Sequence, residues 1–588
     1  MSAESALAAV PQRQSARLVA ALALGVGAAL LLLLHDRFWW APDEGVYAYV
    51  AQRLLHGARL HADIQDLHPG YVQLVGAGAF WLFGEDLVSL RYPLLALTLL
   101  VAALVWRALA DRGPAVAALG TLAVCALTLP LFLNPTANWY AVLIAIAIAA
   151  LLSRDRPAAP LLLGIAVGAA FLFRQLTGVF VGAAVLLWLC DSLRQREADA
   201  RPGWAAPVAL IGAAAVLAVY LASHAVGLAW LLFGIWPLGL LLLGALRLRP
   251  TDRVMLPALA QLLLGIALAA LPLALWHGLE GSLGPWLRDS FLTPWRIAAQ
   301  DFLAYGGYTE ILADALGIIA APPGVLPALS ALNWLLLLAL PPAAGLTAVV
   351  LWRRHLAASD AAPAPPLLLF APFVALVAVH YQIPVYLFFA VGALWLALLS
   401  VGGRAVQALA LCSLLLTLWT QAAQPLTRPI EDVVAGKRLA LDAPQGLPRA
   451  SLAIQSEERA LYAALLAAIA AHTTPGQPIL ALPMNPELYF LANRAPPVRF
   501  FAAQLGLATQ ADLDEALAAV AADPPVLLIH RPDDKYNGPL SDALLAALLP
   551  DYRALAPIGP FRLYLRSASS TARDAGAAAA DSELSRTR

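Results

Sequence analysis

Charged residues are scarce in this chain: they make up 13% of its 588 residues, whereas soluble globular proteins carry about a quarter. Together with 61% hydrophobic residues and a mean hydropathy of +0.75, this scarcity excludes an ordinary soluble protein. An excess of one charge sign is lacking too, because 37 basic residues balance 37 acidic ones, so no nucleic-acid partner is indicated. The composition predicts a polytopic membrane protein.

Cysteine and phosphate-binding loops are also nearly absent. The three cysteines, Cys125, Cys190 and Cys412, each lie in an apolar run and form neither a disulfide framework nor a metal-ligand spacing. We interpret them as packing residues. The sequence contains no GxxxxGK[ST] loop and no GxGxxG after a predicted strand. No cofactor is therefore predicted, and no metal site is supported.

Long hydrophobic runs, in contrast, recur along most of the chain. A segment of roughly 17 to 25 apolar residues can cross a bilayer. The first run is longer than the apolar part of a signal peptide and lacks a small-residue cleavage site, so we interpret it as a retained span. The thirteen predicted spans are residues 17–35, 87–108, 114–133, 138–153, 158–174, 177–190, 204–223, 228–246, 254–276, 324–352, 366–380, 384–401 and 404–421.

Basic residues indicate the orientation, because short cytoplasmic loops carry an excess of Lys and Arg. They are concentrated in alternate loops, at 107–113, 153–156, 192–197, 246–253 and 352–355. This pattern predicts that the N-terminus lies inside. The segments predicted to lie outside are 36–70, 277–323, 380–384 and everything after about 422.

Two regions depart from the pattern of spans. The apolar segment 71–83 is too short to cross a bilayer and is predicted to be re-entrant or to lie in the interface. After residue 421 charged residues return, with amphipathic helices at 456–472 and 511–523. Strand patterns appear at 478–483, 525–530 and 561–566. The predicted organisation is a membrane domain (1–421), a small outer α/β domain (422–566) and a disordered tail (567–588).

The loop 36–70 is the least membrane-like stretch of the first half. Together with His35, which directly precedes it, the loop contains five acidic residues, four histidines and a tryptophan pair at the expected interfacial depth. Asp43 and Glu44 stand at the start of a helix-like stretch, where they could serve only as an N-cap and a first-turn acid. They could equally be catalytic carboxylates, and this stretch alone does not decide between the two.

Other polar residues collect at span ends on the same predicted outer side, where an ionisable group is costly unless it faces protein or a watery cavity. For Arg174 the alternative is a tight loop between two spans. For His380 it is a helix-end histidine bonded to a backbone carbonyl. The residues are Asn134, Asn138, Arg174, Gln175, Arg288, Arg296, His380 and Tyr381. Carboxylates that accept a proton, beside cations that neutralise phosphate, suit an enzyme acting on an anionic lipid-anchored substrate.

This pattern resembles the C-type glycosyltransferases, and within them the bacterial family that includes the aminoarabinose lipid A transferases and the protein O-mannosyltransferases. The likeness covers most of the chain, with the strongest motifs in its first hundred residues. The matching pieces are Pro42-Asp43-Glu44, Tyr47, Gly57-Ala-Arg-Leu60, LHADIQDLHPGYVQ, Arg91-Tyr92-Pro93, Arg174-Gln175-x-x-Gly178, His380-Tyr381 and the terminal PILALPMNPELYFLANRAPPVRF.

The resemblance implies a mainly α transmembrane bundle of C-type architecture in a bacterial cytoplasmic membrane. It implies transfer of a sugar from a polyprenyl-phosphate donor to a lipid, glycan or protein acceptor at the outer face, with inversion. Asp43 matches the catalytic base, and Glu44 would position the loop or help bind the acceptor. The substrate-binding residues implied are Tyr47, His68, Arg91, Arg174, Gln175, Arg288, His380 and Tyr381.

Two departures from the family pattern stand out. His68 occupies a position where the family usually has a lysine, so its charge would depend on pH. The loop between the third and fourth predicted spans reads LNPTANWY, without the acidic residue often found there. The alternative is a multi-pass transporter or flippase of a lipid-linked or anionic substrate, followed by a polysaccharide polymerase or ligase and a membrane scaffold.

Overall fold

The computed structural model describes residues 3–153, 159–195, 201–297, 307–357, 363–424, 428–441 and 447–567. The polar tail predicted at 567–588 lies outside these residues, apart from Ser567. Helices dominate the described chain, and a four-stranded sheet near its C-terminus is the remaining regular structure. The predicted fold class, a helical membrane bundle with a small α/β part, is therefore confirmed.

Twenty helices precede residue 436. They are α1 (Ala3–Leu34), α2 (Ala41–Leu55), α3 (Tyr71–Phe83), α4 (Tyr92–Leu109), α5 (Pro114–Ala126), α6 (Ala137–Leu152), α7 (Pro160–Phe173), α8 (Gln175–Arg194), α9 (Ala205–His224), α10 (Ile235–Arg247), α11 (Asp252–Leu279), α12 (Leu283–Leu287), α13 (Thr293–Ile297), α14 (Gly307–Ala320), α15 (Val325–Ala357), α16 (Pro366–Val374), α17 (Val377–His380), α18 (Pro384–Val401), α19 (Arg404–Gln421) and α20 (Ile430–Val434).

Helices occupy all thirteen predicted spans. Among the described residues, nine helices are long and apolar enough to cross a membrane, and four shorter apolar helices accompany them. The chain is thus a multi-pass membrane protein, while the number thirteen stays a prediction. Side chains such as Leu279 and Leu246, which are 89% and 71% exposed, form the outward apolar surface that lipid would cover.

Contacts between helix ends agree with the predicted alternation of the spans. His355, near the end of α15, lies 3.1 Å from the carboxylate of Asp191 near the end of α8, and both belong to the predicted inner side. At the other side, Asn134 after α5 donates a hydrogen bond to Asp43 in α2. Which of the two sides faces the cytoplasm stays a prediction.

Helix α3 has both of its ends on the predicted outer side. The Tyr71 hydroxyl donates to the carbonyl of Ala269 in α11, and the Tyr71 ring lies 5.6 Å from the ring of Phe173 at the end of α7. At the other end, the ring of Phe83 lies 5.0 Å from that of Tyr92, the first residue of α4. This arrangement fits the expectation that residues 71–83 do not cross the bilayer.

The C-terminal region is an α/β unit built around a mixed sheet. Strand β1 pairs with β2 in parallel, and β4 pairs antiparallel with both β2 and β3. The sequence predicted β1, β2, β4, α21 and α24 but missed β3, whose residues are mostly exposed. The elements are α21 (Ser456–His472), β1 (Ile479–Leu482), α22 (Pro486–Ala492), α23 (Ala503–Gly506), α24 (Gln510–Ala522), β2 (Leu527–His530), α25 (Pro539–Leu548), β3 (Tyr552–Ala554) and β4 (Arg562–Arg566).

Helix α2 and the C-terminal unit share one hydrophobic core. Tyr49 packs against Tyr489 of α22, with ring centroids 5.3 Å apart. Gly45 allows the backbones to approach closely, because a Cβ on it would lie 2.3 Å from the backbone nitrogen of Glu487. The backbone of the loop before α2 also pairs with the C-terminal region, since Phe38 N–H donates to Ala453. The C-terminal unit is therefore packed directly on the loop that carries Asp43.

Trp39 is 1% exposed and packs against Tyr462 of α21, so the C-terminal unit covers it, while its interfacial depth stays a prediction. The interpretation of the three cysteines as packing residues needs one correction. Cys125 and Cys190 are buried as interpreted, but Cys412 is exposed on α19. An apolar run in a membrane helix contains lipid-facing positions as well as packed ones, so hydropathy alone does not separate them.

The close approach at Gly45 gives a first prediction. Gly45→Ala is expected to destabilise docking of the C-terminal unit by about 1–3 kcal/mol, because the new methyl group meets backbone that cannot rotate away. Thermal unfolding and limited proteolysis of the purified protein measure the effect. The control is Gly78→Ala in α3, where a Cβ has no atom within 4 Å. Equal unfolding temperatures for the two variants would contradict the predicted contact.

Candidate active site around Asp43

Helix α2 presents Asp43 and Glu44 in its first turn. The helix begins at Ala41, its N-cap is Trp40, and no side chain caps it. The N-cap interpretation of Asp43 is therefore wrong, while the first-turn interpretation is correct. Because successive helical residues project about 100° apart, the two carboxylates face different surroundings.

Glu44 is buried in an ion pair with Arg91. Both side chains are fully buried, and an Arg91 Nη2–H donates to Glu44 Oε1 over 2.7 Å. The same guanidinium donates to the carbonyls of His35, Arg37 and Phe38 over 2.6–3.0 Å. Phe38 has a left-handed φ of +54°, a conformation that costs energy in a non-glycine residue and needs such support. The pair thus fixes the connection between α1 and α2.

Asp43 is only partly buried and turns toward α5 and α6. The Nδ2–H of Asn134 donates to its Oδ2 over 3.1 Å. Burial raises the pKa of Asp43 to about 6, against the opposing influence of Lys535, His68, Asn134 and Arg174. A carboxylate with a pKa near 6 is mostly ionised at neutral pH and yet a stronger base than an ordinary aspartate. This is the electrostatic environment of a general base.

His68 is held beside this carboxylate by Asp66. Its Nδ1 lies 2.8 Å from Asp66 Oδ1, and Asp66 Oδ2 accepts a hydrogen bond from Gln73 over 2.7 Å. Burial opposes ionisation of Asp66, but the contacts with His68 and Gln73 outweigh it, so the pKa of Asp66 is lowered. Since Nδ1 is engaged by Asp66, Nε2 is the ring nitrogen left to meet a substrate.

Tyr47 orders the other side of His68. Its ring lies 5.6 Å from the imidazole, and its hydroxyl donates to Thr136 Oγ1 over 3.1 Å and accepts from the N–H of Ala137 over 3.3 Å. Tyr47 therefore ties α2 to the start of α6, which lies next to Asn134. These contacts give Tyr47 a positioning role, and its contact with substrate stays a prediction.

Arg174 is the single residue between α7 and α8, so the tight-loop interpretation is correct. Its backbone is extended, and among the described residues its guanidinium makes no hydrogen bond or ion pair. It nevertheless lines a small cavity of about 10 Å³. The polar lining residues are Asn138, Arg174, Thr177, Tyr220, His380 and Tyr386.

His380 and Tyr381 form an aromatic cluster with Tyr386 at this cavity. The rings of His380 and Tyr381 lie 5.0 Å apart, as do those of Tyr381 and Tyr386. The buried Nδ1 of His380 has no hydrogen-bond partner among the described residues. The interpretation of His380 as a histidine bonded to a backbone carbonyl is therefore not supported.

Three predicted binding residues lie elsewhere. Gln175 donates to the carbonyls of Leu67 and Ser290 over 2.8 and 2.9 Å, which joins the loop 36–70 to the segment after α12. Arg288 is exposed at the surface of that segment. Arg91 is fully buried, so its place favours a positioning role over direct contact with substrate. Their substrate-binding roles stay predictions.

Lys535 is the residue that the sequence interpretation missed. It follows β2, one of the two parallel strands, and its charge lowers the pKa of Asp43 more than that of any other neighbour. The signal was present in the sequence, because residues that follow parallel strands often line ligand sites. A polar DDKYN loop after a predicted strand was an indication of this kind.

Among the described residues, no group of three or more His, Cys, Asp and Glu side chains is placed to hold a metal ion. Two carboxylates near Asp43 already have partners, since Glu44 pairs with Arg91 and Asp66 pairs with His68. The expectation that the chain works without a metal stays a prediction.

Comparisons with known proteins return only structural likenesses. No protein-family model matches the chain, and no curated protein matches it. The chain is similar to ArnT from Cupriavidus metallidurans in the apo state, with a TM-score of 0.41, 15% identity and coverage of 96% of this chain and 99% of that one. For the same ArnT bound to undecaprenyl phosphate, the TM-score is 0.40 and the identity 14%, with coverage of 94% of this chain and 98% of that one. For an Archaeoglobus fulgidus oligosaccharyltransferase in complex with Zn and sulfate, the TM-score is 0.39 and the identity 12%, with coverage of 87% of this chain and 68% of that one.

The buried ion pair gives the second prediction. Arg91→Met is expected to destabilise the protein by about 3–5 kcal/mol, because it leaves Glu44 buried without its partner. The double variant with Glu44→Gln is expected to recover part of the loss, since no unpaired charge remains. Thermal unfolding in detergent measures both. Arg288→Met, at an exposed position, is the control and is expected to change stability by less than about 0.5 kcal/mol.

Proposed function

We propose that the chain is an integral-membrane glycosyltransferase that transfers a sugar from a polyprenyl-phosphate donor to a lipid, glycan or protein acceptor at the outer face of the membrane. The observation that carries this proposal is the position of Asp43, a partly exposed carboxylate surrounded by His68, Arg174 and Lys535. One base next to several cations suits a reaction in which a hydroxyl attacks and a phosphate leaves.

In the proposed reaction Asp43 accepts the proton of the acceptor hydroxyl. The hydroxyl oxygen forms a bond to the anomeric carbon while the bond from that carbon to the phosphate oxygen breaks. Attack opposite the leaving group inverts the anomeric configuration. The phosphate departs with the bonding electron pair, and the cations stabilise its growing charge. Asp43 rather than Glu44 is assigned as the base, because Glu44 is fully buried against Arg91.

Cations around the site would also suit a transporter of an anionic lipid. The two functions differ in their product, because a transporter moves its substrate unchanged whereas a transferase forms a new glycosidic bond. The transporter alternative is therefore kept only as an outcome of the experiment on Asp43.

Asp43→Asn is expected to insert normally and to lose sugar transfer by a factor of 10² or more, because the amide cannot accept the proton. Cells that lack the protein are complemented with each variant, and mass spectrometry of their glycolipids and glycoproteins follows the glycan mass that disappears without the protein. Asp63→Asn is the matched control, since Asp63 lies on the same loop and pairs with Arg59. Full activity of Asp43→Asn, or uptake of a substrate without a covalent product, would refute the proposal.

The raised pKa of Asp43 predicts the pH dependence of transfer. The ionised form is the active base, so kcat/KM is expected to be constant above the pKa of about 6 and to fall tenfold per pH unit below it. The purified protein is assayed between pH 4.5 and 8.5 with the donor and acceptor identified from the lost glycan. A profile without an inflection between pH 5 and 7 would contradict the assignment of Asp43.

A further inference from the structure

The loop 531–537 of the C-terminal unit reaches the outer-face site in a defined shape. The Nδ2 of Asn537 donates to the carbonyls of Arg531 and Pro532 over 2.9 and 2.7 Å. The backbone N–H of Tyr536 donates to Asp534 Oδ1 over 3.0 Å. These bonds close a turn with Lys535 at its tip.

This turn is held in a fixed relation to Asp43. The backbone contact between Gly45 and Glu487 fixes α2 against α22, and Gly45 is only two residues after Asp43. Tyr536 packs against the apolar core that α2 shares with the C-terminal unit. Burial, followed by the charge of Asp43, raises the pKa of the Tyr536 hydroxyl, so this side chain also lies close to the carboxylate.

Lys535 itself carries a charge that the protein does not neutralise. Its ammonium lies 4.9 Å from the centre of the Tyr536 ring and makes no hydrogen bond or ion pair with the described residues. The neighbouring Asp534 carboxylate is engaged by the Tyr536 N–H and lies 3.9 Å from Arg531. The side chain is exposed, so an incoming ligand can reach it.

The charges at the site do not balance. Asp43 is a single carboxylate, while the side chains that act on its charge include a guanidinium (Arg174), an ammonium (Lys535) and an imidazole (His68). Glu44 and Asp66 do not compensate, because each is engaged by its own partner. A phosphate would supply the missing negative charge, and lysine binds phosphate as a compact point charge.

Resting on the proposed transferase function, we propose that Lys535 binds the phosphate of the polyprenyl-phosphate donor together with Arg174 and His68, so that the C-terminal unit completes the active site. The binding role is thus shared between the membrane helices and the loop 531–537.

The full-length protein in detergent tests this assignment by its affinity for undecaprenyl phosphate and for undecaprenol, which lacks the phosphate. Lys535→Met is expected to weaken binding of the phosphate about tenfold and to leave binding of the alcohol unchanged. Lys535→Arg is expected to restore most of the affinity. The control is Lys437→Met, which removes the only other lysine of the chain, one that is exposed and paired with Asp432.

A second readout separates charge from structure. Removal of the positive charge beside Asp43 is expected to move the acid limb of the kcat/KM profile to higher pH in Lys535→Met and not in Lys535→Arg. Unchanged phosphate affinity and an unchanged profile in Lys535→Met would overturn the inference while leaving the proposed function intact. Equal affinity of the unmodified protein for undecaprenyl phosphate and undecaprenol would instead overturn the polyprenyl-phosphate donor itself.

Discussion

The buried pair of Arg91 and Glu44 is the interaction on which the position of Asp43 depends. Taking two charges out of water costs several kcal/mol per ion, and the cost is offset only when their remaining hydrogen-bonding capacity is used. Arg91 meets this condition in large part by donating to the carbonyls of His35, Arg37 and Phe38 as well as to Glu44, although Arg91 Nε and Glu44 Oε2 have no partner among the described residues. The direction in which α2 leaves the end of α1 is thereby set, and Asp43 faces Asn134 because its neighbour faces Arg91.

Helix α2 is also enclosed from the opposite side. The C-terminal unit packs on it through Gly45 and Tyr49, so α2 lies between the membrane helices and a domain encoded far along the chain. This enclosure removes Asp43 from much of its water, which is the largest cause of its raised pKa. The strength of the base is therefore a property of the packed assembly and not of the loop 36–70 alone.

The sequence predicted the parts of this arrangement that have local causes. Crossing a bilayer demands a long apolar helix, so hydropathy located the apolar helices, while the orientation indicated by the basic loops stays a prediction. Arg174 stood out because a polar group between apolar runs is costly, and Asp43 and His68 stood out through the family resemblance. The burial of individual side chains could not be predicted from the sequence. Arg91 and Arg174 both stand beside apolar runs, yet Arg91 is buried in an ion pair and Arg174 lines a cavity. Lys535 was missed because the sequence signal, a polar loop after a predicted strand, does not tell which distant residue that loop approaches, and the fold places it near Asp43.

The same cations that suit a leaving phosphate also weaken the base. Lys535, His68 and Arg174 each lower the pKa of Asp43, and burial more than offsets them. Under the proposed function, binding of the anionic donor would neutralise those cations and remove their effect on Asp43. The carboxylate would then become more basic when the donor is in place, while its pKa without donor, about 6, keeps it ionised at neutral pH. Donor binding and base strength are coupled in this way through charge alone, without any required movement of the helices.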